Sequence, residues 1–214
     1  MGHVVRRPGW GVIDLNTETG DVFVQEDWQY VWLVQPGVIA WTLRERRAFH
    51  RTADAHIWRR WSNRRQVVTS GSHHFAARFP RVRVNFDIRW VTRPGHWTVH
   101  VTKIRPGAAS PRSYVDFAAR AIHLDSLDLI PHRVGNDAGV SRPGFRTVPH
   151  EFGHTLPDRR GSASPIDDEY DTGDPHLGDT DSLMNIGQQV RARHLTAVLD
   201  ELNTMLHGCT FAAL

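Results

Sequence analysis

Between residues 82 and 102 apolar and polar side chains alternate with a period of two. Val82, Val84, Phe86, Ile88 and Trp90 interleave with Arg83, Asn85, Asp87 and Arg89; beyond Arg93-Pro94-Gly95-His96, Trp97, Val99 and Val101 interleave with Thr98, His100 and Thr102. Successive side chains of a strand point to opposite faces, so this pattern specifies two half-buried strands. The turn residues between them predict that the second strand returns antiparallel. Val12 to Gln25 reads as a hairpin about Thr17-Glu18-Thr19-Gly20-Asp21. Tyr114 to Leu124 predicts one more strand, centred on Ala121-Ile122-His123-Leu124.

Elsewhere the period becomes helical. Leu43, Phe49, Ala53, Ile57 and Trp61 predict a long helix capped by Thr42 and ending before Ser62-Asn63. Val190, Leu195, Val198, Leu199, Leu202 and Leu206 predict a closing helix stopped by Gly208. At 214 residues, with 40% hydrophobic and 23% charged residues, the chain suits one globular domain with a sizeable core. No apolar run reaches the roughly 18 residues of a membrane span. Met1 to Trp10 carries two arginines and no apolar h-region. No cleavable secretory signal is therefore visible, and the expectation is a cytoplasmic protein, one exported by a non-classical route, or a mature form.

Cys209 is the single cysteine, which rules out an internal disulfide or a thiolate cluster and leaves nitrogen and oxygen ligands for any metal. The net charge of +3 is carried by arginine almost alone, since Lys103 is the one lysine. A solvated arginine-rich surface accounts for this, and no nucleic-acid or membrane partner is expected.

The chemistry concentrates in Thr147-Val148-Pro149-His150-Glu151-Phe152-Gly153-His154-Thr155-Leu156-Pro157. Histidines four apart on a helix project from one face, one turn apart, and both can reach one ion. Glu151 can reach a water on that ion without displacing it. Pro149 is tolerated in a first helical turn and Pro157 cannot continue the helix, which bounds it to roughly Val148 to Leu156. In a chain with 14 histidines this five-residue pattern needs context. Gly153 supplies some, because glycine weakens a helix by about 1 kcal/mol relative to alanine, and a position facing close-packed backbone would call for it.

Downstream come Asp168-Glu169-Tyr170, then Ser182-Leu183-Met184-Asn185-Ile186-Gly187 and Arg193-His194-Leu195. Together with the His-Glu-Phe-Gly-His segment, this series resembles metzincin-related bacterial zinc metallopeptidases, specifically across residues 147–195 and only architecturally before that. The resemblance implies that Met184 lies in a turn beneath the metal, and that Asp168 is the third ligand beside His150 and His154. It also implies that Tyr170 donates to the oxyanion formed on peptide hydrolysis, although a packed aromatic in the lower wall is an equal reading. The chain departs from the family at Pro157, where a glycine is usual, and at Arg160, which replaces the third histidine of the longer motif. Asp158, Asp167, Glu169 and His176 therefore remain alternative third ligands.

His194 either joins Tyr170 or faces solvent, the latter favoured. His73-His74 is read as a surface loop, because neighbours on a strand face opposite ways. His123 is placed on an edge strand near a substrate cleft or exposed. Trp58, Trp61, Trp90 and Trp97 fall at core spacings.

The expected molecule is a single α/β domain of the zincin type, residues 1–214. It has a twisted mixed sheet, a backing helix and an active-site helix in an upper part, 1–156. A smaller C-terminal part, 157–214, holds the Met184 turn and closing helix. The expected function is zinc-dependent endopeptidase action on peptide or protein substrates, with Glu151 as general base. The alternative is an inactive zincin-like binding or structural module of a larger assembly, with a structural zinc.

Overall fold

The computed structural model describes residues 2–214. Its strands are His3–Arg6 (β1), Val12–Asn16 (β2), Asp21–Val34 (β3), Val67–Gly71 (β4), Arg81–Val91 (β5), Trp97–Lys103 (β6), Tyr114–Asp116 (β7), Ala121–Asp125 (β8), His132–Gly135 (β9), Ser141–Phe145 (β10) and Cys209–Ala213 (β11). Its helices are Leu43–Trp61 (α1), His74–Arg78 (α2), Thr147–Gly153 (α3) and Thr196–Leu202 (α4), the last preceded by a 3-10 turn at Ala192–Leu195. This is a mixed α/β fold with few helices. No helix among the described residues is long and apolar enough to cross a membrane.

β3 is the spine of a nine-stranded mixed sheet in the order β11-β4-β5-β3-β6-β8-β7, with β2 paired to the first part of β3 and β1 paired to β2. The expected hairpin forms, Val12 pairing with Gln25 and Asn16 with Asp21. β3 then runs on well past it. Its inward side chains Val22, Val24, Glu26, Trp28 and Tyr30 are buried in alternation, and Glu26 is the charged-type exception among them.

The antiparallel return of Trp97 to Thr102 does not form. β5 pairs parallel with β3 from Asp21↔Arg83 to Gln29↔Val91, and β6 pairs parallel with β3 on the opposite side, from Trp28↔Trp97 onward. The other side of β5 is taken by β4 only at Arg81 and Val82, and further along by the end of α1, where Asn63 donates to the Val84 carbonyl, Ser62 bonds both backbone groups of Phe86 and Asp54 accepts from the Ile88 amide. The link therefore steps across the face of β3. Its two ends lie at one level of β3, so it has only to sidestep two strand spacings, roughly 10 Å, well within its reach. Contact is close enough that a Cβ at Gly95 would collide with the Asp27 carbonyl oxygen. The Asp27 amide donates to His96 Nδ1 at 2.8 Å, fixing the crossing.

α1 begins at the expected cap: Thr42 accepts from the Glu45 amide and Glu45 reaches back to the Thr42 amide. Its inner face braces α3, where Trp61 Nε1 donates to the Pro149 carbonyl at 2.8 Å and the Trp61, Phe86 and Phe152 rings pack together. Trp97 is buried with Trp61, but Trp90 is half-buried and Trp58 is 41% exposed against Phe23. Of the pair read as a surface loop, His73 lies in the bend before α2 and caps it, accepting from the Phe75 amide, while exposed His74 is the first residue of α2; the two rings lie together.

The segment Tyr114 to Leu124 is a hairpin of two short strands. β7 takes the edge, so His123 is interior to the sheet, its ring stacked between His100 and Tyr114. The closing helix is shorter than its apolar period. After Leu202 the Asn203 side chain pairs with both backbone groups of Phe211 and turns the chain into β11. β11 then lies antiparallel to β4, so the last residues rejoin the main sheet and do not stay with the segment after residue 156.

Candidate metal centre

α3 carries the two histidines. Its regular part ends at Gly153, earlier than the predicted Leu156, and the chain continues through i→i+3 bonds at His154, Thr155 and Leu156. His154 keeps right-handed helical dihedrals, so the one-turn spacing survives. Pro149 falls in the first turn, where no amide is required.

The two imidazoles and Asp168 meet at one point. His150 Nε2 lies 3.1 Å from Asp168 Oδ1, His154 Nε2 lies 3.0 Å from that same oxygen, and the two Nε2 atoms are 3.3 Å apart. His150, His154 and Asp168 form the one such trio of metal-ligand types found among the described residues. Adjacent ligands of a tetrahedral zinc, with bonds of 2.0–2.1 Å, stand roughly 3.3 Å apart. The triangle is nearly that size.

The opposite ring nitrogens settle which atoms can bind. His150 Nδ1 lies 2.8 Å from the Leu183 carbonyl and His154 Nδ1 lies 2.7 Å from the Ile166 carbonyl. A carbonyl only accepts, so each Nδ1 carries a proton and donates. In the neutral ring each Nε2 then offers a lone pair. Two lone pairs and a carboxylate thus converge, an arrangement that calls for a positive charge among them. Burial pushes the His154 imidazole down, but the Asp168 hydrogen bond and the Glu151 charge outweigh it and bring it up to about 9. Asp168 answers in the other direction. Burial would raise it, yet hydrogen bonds from His150 and His154 hold it well below the usual carboxylate range.

Glu151 is 6% exposed, and its Oε2 has no protein partner. Burial pushes its carboxyl above the ordinary value, against the pull of both histidines. It lines a cleft of about 610 Å³ that also touches His150, and a smaller one of about 230 Å³ that touches His154. The larger cleft is walled by apolar groups, among them Leu127, Ile130, Val134 and Phe145.

Met184 packs against α3. Ser182–Gly187 passes under α3, the Leu183 carbonyl holds His150, and Met184 is fully buried beneath Gly153. A Cβ at Gly153 would overlap the Met184 thioether and lie 3.1 Å from Trp61 Cζ2. Gly153 thus faces packed side chains where close-packed backbone was expected. Asn185 pins the turn by donating to the carbonyls of Glu169 and Leu177.

The other candidates go elsewhere. Asp158 is exposed, and Asp167, also exposed, accepts from the Asp168 amide. The His176 amide is tied to Asp174, and its side chain is outside the trio. Glu169 faces away from the histidine pair, in a bidentate bridge to Arg193 and 3.0 Å from His194 Nε2. His194 neither faces solvent nor reaches the site: it is buried, its Nδ1 accepts the Arg191 amide, and its Nε2 donates to Glu169. Tyr170 is at the site, but its hydroxyl donates to Asp168 Oδ2 at 2.6 Å and its ring stacks on His150. Both of its sequence readings, oxyanion donor and packed wall, leave out this bond.

Arg112 is the site residue that the sequence did not signal. It comes from the loop before β7 and its Nη2 donates to the Tyr170 hydroxyl at 2.7 Å and to Asp168 Oδ2 at 3.3 Å. No motif marks Ser110-Pro111-Arg112-Ser113. The loop is brought to the site by Ser110 and Ser113 hydroxyls bonding Asp125 and Asp128.

Comparison with protein-family models, with curated proteins and with solved structures gives no match for this chain. The functional reading therefore rests on this geometry and on the resemblance of residues 147–195.

Proposed function

We propose that this chain is a zinc-dependent peptidase of the zincin type, with His150, His154 and Asp168 holding the metal and Glu151 acting as general base. The observation that carries the reading is the near-tetrahedral triangle of two Nε2 atoms and a carboxylate oxygen, with the unpartnered Glu151 oxygen beside it. Zinc, when bound, supplies Lewis acidity and a water of lowered pKa.

The chain's own groups do the rest. Burial keeps the Glu151 carboxylate poorly solvated and hence basic, so it takes a proton from the attacking water and returns it to the leaving amine. The Leu183 and Ile166 carbonyls hold both imidazoles in the ligating tautomer. Tyr170 and Arg112 fix the outer oxygen of Asp168, which leaves its Oδ1 for the metal. The apolar cleft of about 610 Å³ beside His150 and Glu151 receives a hydrophobic side chain of the peptide.

Metal analysis paired with digestion of unfolded casein, with and without chelator, tests the reading. Stoichiometric zinc and chelator-sensitive cleavage are expected. Glu151→Gln is expected to lower cleavage by roughly 10²–10⁴-fold while keeping zinc. Full activity in that variant refutes the mechanism. Bound zinc with no cleavage by the wild-type protein assigns the metal a structural role instead.

A further inference from the structure

A cluster of like charge stands where the end of α1 meets the residue that precedes α3. Arg59 and Arg60 lie in the last turn of α1, Arg64 follows it, and Arg146 immediately precedes α3. With His56 these four line one cavity of about 190 Å³. The arginine–carboxylate ion pairs among the described residues involve Arg83, Arg89, Arg112, Arg142, Arg160, Arg191 and Arg193, and none of the four.

His56 sharpens the imbalance. It is 8% exposed, and Arg146 Nη1 lies 3.0 Å from its Nε2. A guanidinium only donates, so Nε2 accepts and the ring proton sits on Nδ1. That Nδ1 is buried and has no protein partner. Burial, with Arg146 and the two helix arginines, brings His56 down to about 4, which keeps the ring neutral. Arg60 is also lowered, first by burial and then by Arg146 and Arg64.

The carboxyl end of a helix attracts cations, and this accounts for part of the cluster. Arg64 Nε donates to the Arg59 carbonyl at 2.7 Å and is satisfied there. It does not account for Arg146, which arrives from a different element, or for the His56 N–H.

We propose that this cavity is a binding site for a tetrahedral oxyanion, a phosphate or sulfate group, held by Arg60, Arg146 and Arg59, with the neutral His56 ring accepting from Arg146 and holding it in place. Guanidinium forks match the edges of such a group. Guanidinium groups converging from the end of α1 and from the extended residue before α3 need more acceptor oxygens than the two of a carboxylate. The cavity shares no lining residue with the two clefts at Glu151, and the proposal does not depend on the peptidase reading.

The test is titration calorimetry and thermal melting of the intact zinc-loaded protein with sodium sulfate at constant ionic strength, chloride replacing sulfate. A parallel arm uses a phosphoserine peptide. Saturable binding is expected, with a melting gain of roughly 3–6 °C at ten times the Kd. Arg146→Gln and Arg60→Gln are each expected to weaken binding by roughly tenfold or more. Arg83→Gln, which removes an arginine paired with Asp21 elsewhere, controls for the general effect of sulfate and should bind as wild type. Tighter binding of sulfate indicates a free ion as ligand; tighter binding of the peptide indicates a phosphorylated side chain. No saturable binding of either probe, or wild-type affinity in Arg146→Gln, overturns the proposal.

Discussion

Glu26 shows how one side chain can set a pH dependence for the whole fold. It has no exposed surface, and burial raises it from the ordinary 4.5 to about 8. Its hydrogen bonds agree with a neutral carboxyl. The Thr155 hydroxyl has one proton, which goes to the Phe152 carbonyl at 2.6 Å, so its 2.5 Å contact with Glu26 Oε1 is made by a proton from Glu26. Trp28 Nε1 donates to the other oxygen. A carboxyl raised on folding binds more protons folded than unfolded between the two values, so stability falls as pH rises from about 4.5 to about 8 and levels off above. Glu26→Gln can donate to Thr155 and accept from Trp28 without that titration. Its melting temperature is expected to exceed the wild type at pH 8, by a margin that shrinks towards pH 5; parallel curves for the two proteins would discard the idea.

At the scale of elements, α3 and the Met184 turn act as one piece. Gly153→Ala should add about 1 kcal/mol of helix propensity. The added methyl has no room, with Met184 Cε at 2.8 Å and Trp61 Cζ2 at 3.1 Å from its position. Overpacking of this kind costs about 1–3 kcal/mol and outweighs the gain. The variant is expected to unfold at lower urea and to bind zinc more weakly, since the turn that shifts also carries the Leu183 carbonyl. Adding Met184→Ala should return part of the zinc affinity; a Gly153→Ala protein as stable as wild type would count against the packing.

This scale also shows what the sequence could reveal. His150, Glu151 and His154 were legible because helical geometry relates neighbours one turn apart. Asp168 was reached through resemblance, since no local rule spans the segment between it and α3. The two carbonyls that orient the imidazoles, and Arg112, left no trace: each depends on where a loop is laid by tertiary contacts. His194 misled because a histidine beside arginines reads as surface, yet Glu169 draws it inward.

Over the whole molecule, the C-terminal strand carries stability far from the metal. Phe211 of β11 is buried against Phe75 of α2, and β11 covers the edge of β4. Phe211→Ala is expected to cost about 3–5 kcal/mol in urea unfolding, with the zinc stoichiometry unchanged in the folded protein. A loss below 1 kcal/mol would mean that this edge is dispensable. The alternation from Val82 to Thr102 located β5 and β6 correctly. Their orientation was not legible, because the turn chemistry of Arg93–His96 is local and the choice is made by which edges are already taken.

The crossing over Asp27 bears on how the chain assembles. Two strands adjacent in sequence would ordinarily zip into a hairpin within microseconds. Such a hairpin would have to open before the native sheet forms, because β5 and β6 share no edge in it. Each must instead find β3, with Arg83 travelling back to Asp21, and the short link must close with β3 beneath it. Folding is thus committed to high contact order at its centre, and β3 is the template on which the flanking strands wait to register.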